Sequence, residues 1–218
     1  MATPGSRVIA EELTPNEVIQ GYTFFRDRSI AFAASQLARV LGNPGAHHVR
    51  AAARELIYLR GTKERALVFK PDASIELDTY VDSDWAVKFS CSGGMYFFHG
   101  CLFHWFSKLQ RSVSLSSAEA EYFGAMICAR ELVFIRDLLV DLGFTLPGPS
   151  PIYSDSKSAI DMSYDPVAFK KTKHILRAAE FLRDLVAREV TKLLHISGTL
   201  MLADILTKPV ARSVFTIL

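Results

Sequence analysis

Long apolar runs, paired cysteines and a surplus of either charge are all missing from this sequence. No uncharged apolar stretch reaches the ~18–20 residues of a membrane span, so the chain offers no candidate transmembrane helix. The opening residues MATPGSRVIAEEL lack the apolar core of a secretory signal, and none is expected. Cys91, Cys101 and Cys128 show no CxxC pairing or other zinc-ligand spacing, which argues against a disulfide scaffold or a zinc module and for buried thiols in a reducing compartment. Twenty-five basic residues face 23 acidic ones, a net charge of +2, so any attraction for a polyanion has to come from local clusters. What is present is apolar material: half of the 218 residues are hydrophobic, enough to fill the core of one domain with an extension, or of two small domains.

The pattern changes along the chain. Residues 1–28 carry Pro4, Gly5, Pro15 and mixed charges without a sustained period, and a loosely ordered segment is expected. Residues 29–62 form a helical segment: SIAFAASQLARVL, stopped by GNPG, and HHVRAAARELIYLRG, closed by Gly61. From residue 63 to 218 strands alternate with helices. A short strand is expected at Leu67–Phe69 and a second in IELDTYVD, ending on Asp82. GGMYFFHG and CLFHWFS, almost contiguous, read as a hairpin. A long helix runs from Ser117 to Leu142, with Ser116 or Ser117 as N-cap and Glu119 in the capping position. Its buried stripe is Tyr122, Ala125, Met126, Ala129, Leu132 and Val133, and Gly143 stops it. PIYSD is a strand, SKSAIDMS a short helix and AFKKTKH a lysine-rich loop. An amphipathic helix from Ile175 to Arg188, a strand in VTKLLHIS and a final helix in LADILTK, ended by Pro209, complete the order. It implies a mixed sheet with helices on its faces.

Four acidic residues stand at comparable places in this order. Asp82 (TYVDSDWA) and Asp155 (PIYSDSKSAI) end β-prone runs, Glu121 (LSSAEAEYFGA) lies near the start of the long helix, and Asp204 (MLADILTKP) opens the last one. Carboxylates delivered by strand ends and helix starts can converge although distant in sequence, and hard cations such as Mg²⁺ take oxygen ligands of this kind. Two such ions roughly 3.5–4 Å apart are a standard device for cutting phosphodiesters. Periodicity does not separate Asp82 from Asp84, since residues two apart on a strand share a face. Nor does it separate Glu121 from Glu119, which flank the apolar stripe at similar angles.

The wording around these acids is narrower than the pattern. YVDSDWA, the hairpin from SGGMYFF to WFSKLQ, VSLSSAEAEY, IYSDSKSAI, KKTKHI and LADILTKP, in this order, resemble the ribonuclease H domain of copia-type retrotransposon Pol polyproteins. SIAFAASQLARVLGNPGAHHVRAAARELIYLRGT resembles the connection segment that follows the polymerase in those proteins, while the polymerase core with its paired aspartates has no counterpart here. The resemblance covers roughly residues 28–210. It implies an α/β ribonuclease H-like fold, a mixed five-stranded sheet flanked by helices, with an N-terminal helical extension. It also implies hydrolysis of the RNA strand of RNA–DNA hybrids with two Mg²⁺ ions, Mn²⁺ being the alternative cation. Asp82, Glu121, Asp155 and Asp204 would be the catalytic and metal-binding residues. Glu121 is favoured over Glu119 because AEYFGA matches the family's catalytic helix, and Glu119 suits a cap. The implied partners are an RNA–DNA hybrid and the reverse transcriptase and integrase portions of the same polyprotein, with no membrane. The implied setting is intracellular, in a cytoplasmic virus-like particle or the nucleus.

A second layer of residues suits a polyanion. Lys170, Lys171, Lys173 and His174 precede the amphipathic helix, Lys108, Gln110 and Arg111 precede the long one, and Lys157 follows Asp155. The nucleic-acid contacts expected from these are Lys108, Arg111, Lys157, Lys171, Lys173 and His174. Trp85 and Trp105 suit core or hairpin packing, with contact to sugars as the alternative. His195 suits a structural histidine in an apolar strand, and it or His174 is the candidate for moving a proton. The chain also departs from the family pattern. DWAVKFSCSGG is shorter than usual and keeps only Lys88, Leu176 stands where an aspartate is common, and Met201 where a glutamine is common. Three other readings remain open at this level: a remnant that binds hybrids without cutting them, a DNA-cutting relative of the same fold, and an interaction module whose acids never meet.

Overall fold

The computed structural model describes residues 28–65, 69, 76–86, 89–164 and 176–211. The chain divides into two compact units, residues 1–67 and 68–218. In the first, a 3-10 turn at Arg28–Ile30 leads into helix α1 (Ala31–Ala38), and α2 spans Ala46–Gly61. Ile30, Ala34, Leu37 and Ala52 form their shared core, with Leu41, Leu56 and Leu59 packed around it. The first turn of α2 is tied by the Gly45 N–H donating to His48 Nδ1 at 3.0 Å. Thr62 closes it, its N–H donating to the Tyr58 carbonyl at 3.0 Å.

The second unit is built on a five-stranded sheet. Its strands are β1 (Leu77–Asp84), β2 (Cys91–Phe98), β3 (Cys101–Leu109), β4 (Ser150–Ser154) and β5 (Thr191–His195). The order is β3-β2-β1-β4-β5. The first three strands are antiparallel, while β4 and β5 join in parallel to β1 and to each other. β2 and β3 connect through His99–Gly100, both at positive φ, the two-residue turn whose twist matches a hairpin. Helix α3 (Ser117–Asp141) links β3 to β4, and α4 (Lys157–Tyr164) and α5 (Leu176–Ala187) link β4 to β5. The mixed five-stranded sheet with flanking helices is the expected one.

Helix α3 is capped as its sequence suggests. Ser116 is the N-cap, its Oγ accepting from the Glu119 N–H at 3.2 Å, while the Leu115 N–H donates to the Glu119 carboxylate. At the far end Gly143 turns left-handed with φ of 90°, and the Phe144 N–H donates to the Leu139 carbonyl at 2.9 Å, a Schellman closure. The buried face runs Tyr122, Ala125, Cys128, Ala129, Leu132, Ile135 and Leu139. Met126 and Val133, expected in that stripe, are only half-buried: each lies about 100° around the helix from its neighbour Ala125 or Leu132. Gly124 lets the helix settle on the sheet. A Cβ there would overlap Ser83 Oγ and lie 3.3 Å from both Ser92 Oγ and Val81 Cγ2, so a side chain at this position has to displace its neighbours.

Two elements differ from expectation. β1 continues to Asp84 because its pairing with β2 runs to the Asp84–Cys91 pair. The final segment is a five-residue 3-10 turn, Leu202–Leu206, with no α-helix; Pro209 has no N–H to extend a helix and biases the residue before it away from helical backbone. The strand expected at Leu67–Phe69 lies outside the described residues apart from Phe69, which is not in a strand. No helix among the described residues is long and apolar enough to cross a membrane.

Candidate metal centre

The topology brings the ends of β1 and β4 together. Val81 and Ser83 face α3, where the missing Gly124 side chain leaves room for them, so Asp82 between them points to the other face of the sheet. The parallel register pairs Tyr80 with Tyr153, which carries Asp155 alongside Asp82 two residues further on. Glu121, in the first turns of α3, reaches the same point from the helix. One carboxylate oxygen from each of Asp82, Glu121 and Asp155 lies within 4.8 Å of the others. This distance also separates the pairs left open by sequence periodicity. Asp82 is 2% exposed and belongs to the cluster, whereas Asp84 is exposed at the strand end. Glu121 belongs to it, whereas Glu119 is occupied by the N-terminal cap.

Asp204 approaches from the 3-10 turn. That turn lies directly on β2: a Cβ at Gly93 would be 2.5 Å from Leu206 Cβ and 3.0 Å from Thr207 Cγ2. Asp204 stands outside the three-residue cluster and joins it through Lys208, whose Nζ is 2.9 Å from Asp204 Oδ1 and 3.7 Å from Asp82 Oδ2. The Thr207 hydroxyl donates to Asp82 Oδ2. Thr207 and Lys208 are site residues that the sequence reading passed over. Their signal was the position of Lys208 four residues after Asp204, one helical turn away in the same short word.

Burial and like charge make Asp82 and Glu121 hard to ionise. Burial pushes Asp82 up to about 6, with Asp204 and Asp155 adding to the rise and Thr207 and Lys208 opposing it. Burial pushes Glu121 further, to about 9, reinforced by Asp82 and Asp155 and opposed by the Ser83 N–H and Lys208. Burial pulls Lys208 down, but its hydrogen bond to Asp204 and the charges of Asp82, Asp204 and Asp155 outweigh this and hold it above its ordinary value. Glu121 Oε2 is buried without a hydrogen-bond partner. A buried acceptor left in this state is costly unless something positive meets it. The donor set, all hard oxygens with one orphaned, fits a divalent cation of the Mg²⁺ type.

The basic candidates are spread more widely. Lys157 is exposed on the first turn of α4, two residues beyond Asp155. Lys108 is engaged, its Nζ 2.7 Å from Glu131 Oε1, and Arg111 is exposed. Gln110 is 2% exposed and fully engaged inside the fold, which removes it from the nucleic-acid candidates. Lys88, Lys170, Lys171, Lys173 and His174 lie outside the described residues. His195 is exposed at the end of β5: it shares a strand face with buried Leu193 but stands beyond the core as the last residue of the strand. Trp85, expected in packing, is 48% exposed with its indole N–H donating to the Ser114 carbonyl at 2.9 Å, while Trp105 is half-buried opposite Met95 on the hairpin.

A mixed sheet in this strand order, with a long helix across one face and carboxylates gathered at the ends of β1 and β4, defines a ribonuclease H-type domain. No protein-family model matches the chain. It is 38% identical over 190 residues to the retrovirus-related Pol polyprotein from transposon TNT 1-94 of Nicotiana tabacum, a match covering 85% of this chain and 14% of that protein. It is 33% identical over 198 residues to the Pol polyprotein from transposon RE1 of Arabidopsis thaliana, covering 89% of this chain and again 14% of the relative. The foamy viral protease–reverse transcriptase, solved in complex with an RNA/DNA hybrid, shares the fold over 93% of this chain and 27% of its own, with 14% identity and a TM-score of 0.50. The chain is thus homologous to part of the retrovirus-related Pol polyproteins of plant transposons and spans about one seventh of the length of the relatives it matches.

Proposed function

We propose that this domain hydrolyses the RNA strand of RNA–DNA hybrids, using two divalent ions held by Asp82, Glu121, Asp155 and Asp204, as part of retrotransposon reverse transcription. The observation that carries the reading is the convergence of three carboxylates from β1, α3 and β4 within 4.8 Å, one of them with an orphaned buried oxygen. When bound, a pair of Mg²⁺ ions supplies an activated water and charge stabilisation at the leaving 3′ oxygen. The protein's part is placement. Asp82, buried and fixed by Thr207, is the rigid member of the set. Glu121 closes the site from the helix side, and Asp155, half-buried, stands on its open side. Asp204 is held in reach by Lys208. Lys157 is placed to meet a phosphate beside Asp155, and Lys108, Arg111, Lys171, Lys173 and His174 supply further backbone contacts, without reading bases. Residues 29–62 act as the connection that joins this domain to a polymerase, and residues 63–218 form the nuclease.

The direct test is cleavage of labelled RNA–DNA hybrid and of double-stranded DNA by the purified chain, with Mg²⁺ or EDTA, beside Asp82→Asn and Asp155→Asn. RNA cleavage that needs metal and disappears in both variants supports the proposal. Tight hybrid binding with no cleavage by the wild-type chain overturns it in favour of a non-catalytic remnant.

A further inference from the structure

One buried side chain outside the acidic set is hydrogen-bonded into the elements around it. Gln110 follows β3 directly, its own N–H donating to the Ser90 carbonyl at 2.8 Å. Its side chain turns inward, and all of its amide protons find partners. Nε2 donates to Ser92 Oγ at 2.8 Å and to the Ala120 carbonyl at 2.7 Å, while Oε1 accepts from Ser114 Oγ at 2.9 Å. Ser92 Oγ lies 3.0 Å from Ser83 Oγ.

Two members of this network, Ser83 and Ala120, are the sequence neighbours of two of the three clustered acids. Ser83 follows Asp82 on β1, and its N–H is directed at the Glu121 carboxylate. Ala120 precedes Glu121 on α3. The amide of Gln110 therefore ties the helix that carries Glu121 to Ser92 on β2, and through the Ser92–Ser83 hydroxyl contact to the strand that carries Asp82, near the point where Gly124 lets α3 approach β1. A third branch reaches the surface, since the Ser114 carbonyl accepts the Trp85 indole N–H.

Resting on the proposed metal centre, we infer that Gln110 is its positioning residue: it sets the spacing between Asp82 and Glu121 and thereby the affinity for divalent ions, without touching ion or substrate. Metal ligands must be held within about 0.5 Å of working geometry, and loss of an outer hydrogen bond to a ligand's support lowers metal affinity by about 10- to 100-fold. An apolar residue at position 110 would leave the Ala120 carbonyl and Ser92 without this donor and free α3 to shift against β1.

The experiment is a Mn²⁺ titration of the full chain followed by electron paramagnetic resonance, comparing wild type, Gln110→Leu, Ser92→Ala and Leu139→Ala. The last removes core packing at the far end of α3 and controls for plain destabilisation. The inference requires folded Gln110→Leu to bind Mn²⁺ at least tenfold more weakly than wild type, Ser92→Ala to fall between them, and Leu139→Ala to stay within twofold of wild type. Should Gln110→Leu fail to fold, Ser92→Ala decides, with a loss of threefold or more expected. Mn²⁺ affinity in the folded variants equal to that of Leu139→Ala overturns the positioning role and leaves the metal centre standing. A wild-type chain that binds no Mn²⁺ overturns both.

Discussion

Binding of a divalent ion at this centre must expel a proton from Glu121, and that makes affinity steeply pH-dependent. Burial and the charges of Asp82 and Asp155 raise Glu121 from 4.5 to about 9. Asp82 rises from 3.8 to about 6. At pH 7.5 Asp82 is then ionised and Glu121 carries roughly one proton, while a metal ligand has to be deprotonated. Affinity for Mg²⁺ or Mn²⁺ should climb about tenfold per pH unit between ~6 and ~9, close to 100-fold from pH 6.5 to 8.5, with about one proton released per site occupied. The metal-free chain shows the reverse side of the same linkage. Its unfolded form releases the Glu121 proton near 4.5 and its folded form holds it to about 9, so the folded state binds more protons in between and stability falls as pH rises through that window. From pH 6.5 to 8.5 the fall due to Glu121 is about 2–3 kcal/mol, whereas that due to Asp82 is complete just above pH 6. Glu121→Gln removes the titrating group, flattening the stability profile and weakening metal binding together. Calorimetric titration in buffers of differing ionisation enthalpy measures the proton release, and urea unfolding in EDTA measures the stability. A dissociation constant unchanged between pH 6.5 and 8.5 with no proton release would refute the assignment of Glu121 as a protonated ligand.

Lys208 sits 2.9 Å from Asp204 Oδ1 and 3.7 Å from Asp82 Oδ2 with its side chain 39% exposed, so it screens the cluster and competes with an incoming cation. Discounted for solvent, that charge is worth ~1 kcal/mol, so Lys208→Met should tighten Mn²⁺ binding about fivefold and lower metal-free stability at pH 8 by a similar energy. Weaker Mn²⁺ binding in that variant would show that Lys208 chiefly holds Asp204 in place. Gly124→Ala puts a methyl group against Ser83 Oγ. It should cost about 2–3 kcal/mol in urea unfolding and weaken Mn²⁺ binding as Glu121 is lifted away from Asp82; a variant unchanged in both measurements would contradict the close contact of α3 with β1.

The parts of the fold that were legible in the sequence are those with a strong local signal. Alternation in LDTYVD, the near-contiguous aromatic runs of the hairpin and the small-and-apolar stripe of the long helix each state their own period. The acids were legible through the words around them, and their convergence depends on register, which no single segment contains. Asp82 and Asp84 share a strand face, and only the tertiary surroundings bury the first and leave the second at the sheet's rim. The last element was misread because LADILTKP has the composition of a helix but only five residues before the chain must turn away, enough for a 3-10 turn. Gln110 was read as a surface polar residue because its partners, Ser92 and Ala120, belong to a strand and a helix on either side of it in sequence.

These misreadings share a physical origin that bears on the chemistry. Two buried carboxyls that resist ionisation, with a third beside them, are not a stable arrangement on their own, and local sequence preference does not create one. The strand, the helix and the turn have to be forced together, by Gly124 and Gly93 removing side chains from the contacts, by Gln110 bridging strand and helix, and by Thr207 and Lys208 meeting Asp82. The apolar core supplies the energy that holds them there, with Leu132, Ile152 and Leu182 fully buried beneath the same helix and strands. A divalent cation bound there would satisfy the orphaned Glu121 oxygen and offset the mutual repulsion in one step. Gly124, which carries no charge, is therefore part of what brings the acids together.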